Sequence, residues 1–295
     1  MIHTISPDWE NTNCPGCECN QGFVFLELES ISKNLKMPCS LMRCPECELV
    51  YLSPRPNQAS IHLFYPDDYA PHQSNKVKKN KKTSKEFSSL PPHPNARLLD
   101  YGCGSGAFLK KMQDLEWDSV GLDSSDNAVK SANSMGLKAF KGDFKHPEIA
   151  GMKFECITMR QVLEHLHNPI ETLLEAKKHL VSKGRLSVSV PNIESLAYRW
   201  FKENWLGIDH PRHLLFFSPK SLQRLLKKAG FKVLDPRQIR HSNWLRESAC
   251  NEIKARGMTV KSWLGSRKLT SSAISLWAQI TNQSDCIQVL AEEDA

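Results

Sequence analysis

From residue 95 onward the apolar positions follow two rhythms. Short continuous apolar runs alternate with stretches whose apolar residues recur every three or four positions. This is the signature of a sheet whose strands are joined by crossover helices. The runs ending at Asp100 and covering 119–122 read as strands, the second closing at Asp123. Ser124 or Ser125 then caps a helix with Ala128, Val129, Ala132 and Met135 on one face, and Gly136 stops it. Residues 153–159 form a further strand-like run. Asn168 and Pro169, a capping residue and a first-turn proline, open a helix carrying Ile170, Leu173, Leu174 and Leu180. Ser182-Lys183-Gly184 turns into a strand over 185–190. Ser218-Pro219 opens a helix lined by Leu222, Leu225, Leu226 and Ala229, which Gly230 ends ahead of a strand over 231–234. A last apolar run at 286–291 reads as an edge or inserted strand.

The first 71 residues break this rhythm. They are rich in Cys and Pro and hold only short apolar runs. Residues 72–94 contain Lys76, Lys78, Lys79, Lys81, Lys82 and Lys85 and end in Pro91-Pro92-His93-Pro94, the composition of a solvated hinge. The expected organisation is an N-terminal module at 1–71, a Lys-rich linker at 72–94 and an α/β domain at 95–295. A loosely helical insertion at about 242–282 carries Trp244, Leu245, Trp263, Leu264, Ile274, Leu276 and Trp277. It suits a cover over a substrate pocket, a dimer contact or plain packing.

The linker also places the charge. Six of the cations behind the net charge of +7 sit in that one run, with no aromatic residue interleaved for stacking bases. A nucleic-acid partner is therefore not expected, and salt-dependent RNA binding lost with those lysines is the observation that reverses this. No apolar run is long enough to span a bilayer, and the N-terminus lacks the basic-then-apolar layout of a secretory signal. The expectation is a cytoplasmic chain without membrane association. Its oligomeric state is not legible.

The candidate chemistry begins where the first strand ends. Asp100-Tyr101-Gly102-Cys103-Gly104-Ser105-Gly106 passes straight into a helical pattern. Alternating glycines let the backbone turn tightly off a strand while a ligand lies against it. Gly102, Gly104 and Ala107 also fit a dinucleotide turn, and Asp123 suits a ribose in either reading. Two acids separate the readings. Asp100, two residues before the first glycine, repels a pyrophosphate and suits a cationic amino-acid group. Asp143, in Lys141-Gly142-Asp143-Phe144, stands where it can accept from an adenine amino group. Three carboxylates favour a cofactor that is neutral or positive.

Residues 99–106, Gly121-Leu122-Asp123 and Gly142-Asp143-Phe144 stand in the order and spacing of class I S-adenosylmethionine-dependent methyltransferases. The resemblance covers residues 95–235 together with 286–291. It implies an α/β, Rossmann-like seven-stranded sheet of order 3-2-1-4-5-7-6 with the last strand antiparallel. It also implies a cofactor site made of Asp100, Gly102, Gly104, Gly106, Asp123, Asp143 and Phe144. Asp100 would face the methionyl amino group, Asp123 the ribose hydroxyls and Asp143 the adenine.

The methyl acceptor would meet the segments after the fourth and fifth strands. Val162-Leu163-Glu164-His165, with Arg212-His213-Leu214 and Phe217-Ser218-Pro219, resembles a branch that includes ubiquinone-pathway O-methyltransferases. In relatives of that kind, Glu-x-x-Glu-His and a later His hold a divalent metal. Here Gln161 stands in place of the first acid, and Glu164, His165 and His213 remain as two imidazoles and a carboxylate. Methyl transfer leaves the protein to position the acceptor and remove its proton, so His213 is the expected general base and His165 its assistant. His167, His179 and His210 read as packing residues.

Six of the ten cysteines lie in the first 47 residues. Cys14-Pro15-Gly16-Cys17 and Cys44-Pro45-Glu46-Cys47 are paired knuckles, the pattern of four thiolates around a structural Zn²⁺. A hairpin through Phe23–Leu28 would join them, with Cys19 and Cys39 left over. The module resembles the N-terminal part of bacterial zinc-ribbon methyltransferases, among them sugar-modifying enzymes, which implies Tyr65 and Tyr69 near the acceptor or cofactor. The expected function is methyl transfer to a small hydroxylated molecule, a sugar or sugar-nucleotide first. RNA methylation, a non-catalytic cofactor-bound scaffold and a dehydrogenase are the rivals.

Overall fold

The computed structural model describes residues 7–28, 39–65 and 96–294. The linker lysines and Tyr69 lie outside them. The N-terminal part contains β1 (Trp9–Glu10), β2 (Phe23–Leu28), β3 (Cys39–Arg43), β4 (Val50–Ser53) and β5 (Arg55–Pro56). There follow β6 (Arg97–Tyr101), α1 (Ala107–Gln113), β7 (Asp118–Asp123), α2 (Asp126–Ser134), β8 (Lys138–Lys141) and β9 (Phe154–Arg160). Next come α3 (Pro169–Lys178), β10 (Leu180–Pro191), α4 (Leu196–Phe201), β11 (Leu215–Phe216) and α5 (Pro219–Lys228). The chain closes with β12 (Phe231–Ile239), α6 (Ser242–Arg256), α7 (Val260–Ser266), α8 (Lys268–Ile280) and β13 (Cys286–Glu293).

The large sheet has the order β8-β7-β6-β9-β10-β13-β12. Renumbered within the sheet, this is the expected 3-2-1-4-5-7-6. β13 runs antiparallel to both of its neighbours, β10 and β12. The central strands are apolar on both faces, since helices cover each side of the sheet. Leu98 and Leu99 in β6, and Ile157 and Met159 in β9, are fully buried.

The punctuation residues act largely as their chemistry predicts. The Ser125 side chain accepts from the Ala128 amide and opens α2. Ser218 and Ser221 form a reciprocal capping box at the start of α5, with Pro219 in the first turn. Three boundaries differ. Asn168 precedes α3 without a side-chain cap, with Pro169 in the first turn. The turn expected at 182–184 is instead a bulge inside β10, where the register on β9 breaks between Leu180 and Arg185. The strand expected at 231–234 continues to Ile239 because its partner β13 is long enough to pair with it throughout.

The cysteine-rich part is joined to the large domain through its backbone. β2, β3 and β4 form an antiparallel sheet whose fourth strand is β11, so Tyr51 pairs with Leu215 and Val50 with Phe216. Leu41, Leu49 and Leu52 are buried in the same apolar cluster as Leu214, Leu222 and Leu225. Arg55 is buried between the Glu10 carboxylate and the His167 carbonyl. This contact matters for function, because β11 follows directly on His213 and Leu214.

Candidate active site

A cleft of about 1670 Å³ opens at the carboxyl ends of β6, β7, β8 and β9, where an open parallel sheet binds its ligands. Its floor is the turn from β6 into α1. Gly102 and Gly106 have φ of 77° and 83°. A Cβ on Gly102 would stand 2.3 Å from a Val162 methyl, and one on Gly106 would stand 2.6 Å from Leu137. Only glycine fits either position. The turn is held by Asp123, whose Oδ2 accepts from the Gly104 amide at 2.8 Å. Its Oδ1 accepts from the Ser125 amide at 2.9 Å. Each oxygen keeps a further lone pair for a ligand.

Asp100 is buried beneath the turn and accepts from Thr158 Oγ1 at 2.6 Å. Burial raises its carboxyl to about 6, although the Arg160 charge and the Thr158 bond oppose the rise. A buried carboxylate raised by desolvation is suited to a cationic ligand group that restores its charge. Asp143 is exposed at the other end of the cleft, its Oδ1 accepting from the Lys145 amide. Phe144 is buried beside it and stacks on Tyr101, with ring centroids 4.6 Å apart and planes within 5°. Of the seven residues expected to hold a cofactor, Asp100, Gly102, Gly104, Asp123, Asp143 and Phe144 line the cleft. Gly106 lies behind it as the N-cap of α1.

The facing wall comes from the segments after β9 and before β11. His165 and His213 meet edge to face, with ring centroids 4.6 Å apart. His213 Nδ1 bonds the Gly207 carbonyl at 2.9 Å, and His165 Nδ1 bonds the Arg212 carbonyl at 3.0 Å. Carbonyls only accept, so both rings carry their proton on Nδ1 and present Nε2 as a lone pair. Desolvation lowers both imidazoles, His165 to about 3 with the His213 charge adding to the shift. Both are neutral at physiological pH. Glu164 is wholly buried alongside, and neither carboxylate oxygen has a hydrogen-bond partner among the described residues. Burial lifts it to about 8. One ligating atom each from Glu164, His165 and His213 lies within 4.8 Å of the others.

Residues 69–235, more than half of the chain, match a family model described as "Methyltransferase domain". The chain belongs to that family. It is an S-adenosylmethionine-dependent methyltransferase. An uncharacterized protein of Methanocaldococcus jannaschii is 26% identical over 154 residues, 52% of this chain and 73% of that one. The ubiquinone biosynthesis O-methyltransferase of Dinoroseobacter shibae is 25% identical over 163 residues, 51% of this chain and 66% of the relative. This chain thus spans just under two thirds of that enzyme's length. The crystal structure of the cyclase SpnF has a TM-score of 0.50 at 18% identity, covering 70% of this chain and 78% of that chain, a likeness of fold.

Further residues complete the methyltransferase cleft. Arg160, at the end of β9, lies 4.4 Å over the Phe108 ring and moderates the Asp100 charge. Asp209 forks with Arg212, whose Nε donates to it at 2.9 Å. Burial would raise the Asp209 carboxyl, but Arg212 and His213 together hold it below its ordinary range. The Asp-x-x-Arg spacing was the one available hint. Tyr65 lines the same cleft, its hydroxyl 2.9 Å from His165 Nδ1. The insertion contributes as well, since Trp244 and Glu247 of α6 line the cleft. His179 and His210 serve packing: His179 contacts the Met152 carbonyl, and His210 Nε2 lies 3.0 Å from Cys39 Sγ. His167 bonds the Pro56 carbonyl.

The four expected cysteines converge at the far end of the N-terminal sheet. Cys14 and Cys47 sulfurs are 3.4 Å apart, as are those of Cys17 and Cys44. All four lie within 4.8 Å of one another. The two knuckles repeat one backbone motif. Cys14 accepts from Glu18 and Cys44 from Glu48, and each Glu adopts a left-handed φ, 67° and 63°. Cys19 and Cys39 are outside the cluster.

Proposed function

We propose that this methyltransferase acts on a hydroxyl group of a small acceptor, with a sugar or sugar-nucleotide as the first candidate and His213 as the general base. The observation that carries this reading is the pair of neutral imidazoles facing the carboxylate-lined turn across one cleft. S-adenosylmethionine supplies the activated methyl group. Asp100 would hold the methionyl ammonium, Asp123 the ribose hydroxyls and Asp143 the adenine amino group, with Gly102, Gly104, Gly106 and Phe144 shaping the surface beneath. The Nε2 lone pair of His213 would take the acceptor proton, while His165 orients the hydroxyl. The ubiquinone O-methyltransferase relatives support oxygen as the atom methylated.

A second reading has a specific observation behind it. Glu164 is a buried carboxylate without a partner beside two imidazole lone pairs, a donor set that fits a divalent cation. The cation would engage the acceptor oxygen, and His213 would then be a ligand instead of a base. The four cysteines form the other candidate metal site. Tetrahedral bonds of about 2.3 Å put thiolates roughly 3.8 Å apart, close to the spacing here, and four thiolates leave no position open for chemistry. Zn²⁺ at that site would be structural.

The test is to incubate the enzyme and His213→Ala with methyl-labelled cofactor and fractionated small metabolites, before and after chelation, and identify the labelled product. A product labelled as a methyl ether at a former hydroxyl, made by the wild type alone, supports the assignment. Label entering nitrogen or carbon, or equal labelling by the variant, removes it.

A further inference from the structure

α8 is built inside out. Its inward face is Ser271, Ser275 and Ala278, all buried. The two serines satisfy their hydroxyls on carbonyls of their own helix, Lys268 and Ser272, so the inward face needs no outside partner. The outward face carries Leu269, Ala273, Leu276, Trp277 and Ile280, positions that fall on one stripe about 180° from the buried one. Leu269 is 86% exposed, Ile280 73%, Trp277 53% and Leu276 46%. A stable helix on a folded core normally has the reverse arrangement. Just before it, Met258, Val260 and Trp263 are exposed as well.

The charge around the stripe selects its partner. Between Glu252 and Asp285 the chain has no acidic residue, but it carries Lys254, Arg256, Lys261, Arg267 and Lys268, all exposed. Arg256 pairs with Glu203 and Arg267 covers the Trp263 ring, while the three lysines stand at the surface. A two-fold contact of this segment with its copy would bring two runs of lysine without an acid of their own together, which is repulsive. An apolar stripe with tryptophan, rimmed by lysine, matches the boundary of an anionic bilayer.

We propose that α8 docks the enzyme on an anionic lipid surface. Leu269, Leu276, Trp277 and Ile280 enter the boundary between headgroups and acyl chains, and Lys261 and Lys268 meet lipid phosphates. This inference stands apart from the identity of the acceptor. No helix among the described residues is long and apolar enough to cross a membrane, so the contact is peripheral.

The experiment is co-sedimentation of the full chain with vesicles of phosphatidylcholine, with or without about 30% phosphatidylglycerol. Binding should require the anionic lipid and weaken with salt. The triple variant Leu276→Ser, Trp277→Ser, Ile280→Ser should lose at least about tenfold in partitioning, with cofactor affinity and melting temperature unchanged. Lys261→Glu with Lys268→Glu should do the same. Failure to bind anionic vesicles overturns the proposal. Undiminished binding by the triple variant also overturns it, assigning attraction to the lysines at 76–85. A wild-type dimer that the triple variant dissolves makes the stripe a self-association face instead.

Discussion

His213 gives its Nδ1 proton to the Gly207 carbonyl at 2.9 Å, and that bond sets the ring's chemistry. Gly207 in turn lies under the Trp205 ring, where a Cβ would come within 2.3 Å of the indole. The imidazole is thus aimed by a backbone carbonyl clamped beneath a buried aromatic.

His213→Ala should cut turnover by about 10²–10⁴-fold, the span of general-base catalysis, with cofactor affinity nearly unchanged. Gly207→Ala should follow the same pattern more mildly, because the collision with Trp205 displaces the carbonyl. Steady-state rates set beside calorimetric cofactor titrations check both. Full activity in His213→Ala would take the residue out of the chemistry.

Asp123→Ala should weaken cofactor binding about 10- to 100-fold, the worth of charge-assisted hydrogen bonds to a ligand. It should also lower the melting temperature, since the Gly104 and Ser125 amides lose their acceptor together. Unaltered affinity by calorimetry would place the ribose elsewhere.

Asp100 makes the binding of a cationic cofactor depend on pH. Burial raises its carboxyl to about 6, so in the free protein it is ionised at pH 7.5 and protonated at pH 5. Cofactor affinity should therefore fall as pH drops below about 6, by up to about tenfold per pH unit. The sign for stability is the opposite one. The folded state holds this proton more tightly than the unfolded state, so the group's contribution to folding is lost as pH rises through 6. Asp100→Asn should raise the melting temperature of cofactor-free protein at pH 7 while weakening cofactor binding and flattening its pH profile. A pH-independent wild-type affinity between 5 and 7.5 would contradict the assignment.

Cys44→Ser should remove bound zinc, measured by elemental analysis of purified protein, and lower the melting temperature of the whole chain. The effect should reach turnover as well as the module, because β4 pairs with β11 immediately after His213 and Leu214. Zinc content equal to wild type would mean the cluster is not the metal site.

The cofactor side was legible because its chemistry is local. Gly102 and Gly106 sit at positive φ where a Cβ would collide, and such positions leave glycines in the sequence at fixed spacing from a strand end. The paired Cys-x-x-Cys knuckles were legible for the same reason, each being one turn of backbone. The acceptor side was only half legible. Glu164, His165 and His213 were candidates, but no spacing rule says that the two rings face each other, that Glu164 lacks a partner or that Arg160 stands near Asp100.

Residue pattern marked the strands, the glycine turn after the first of them and the four clustered cysteines, because periodicity, glycine sterics and ligand spacing act within a few residues, while the order of the strands in the sheet came from the resemblance to class I methyltransferases. Folding in three dimensions decided which tautomers the histidines adopt, how the cysteine-rich strands join the large domain through β11, and that α8 hides serines and shows leucine, tryptophan and isoleucine. Those outcomes depend on desolvation and on tertiary contacts, from the His213–Gly207 bond to the pairing of Tyr51 with Leu215, which no residue pattern encodes.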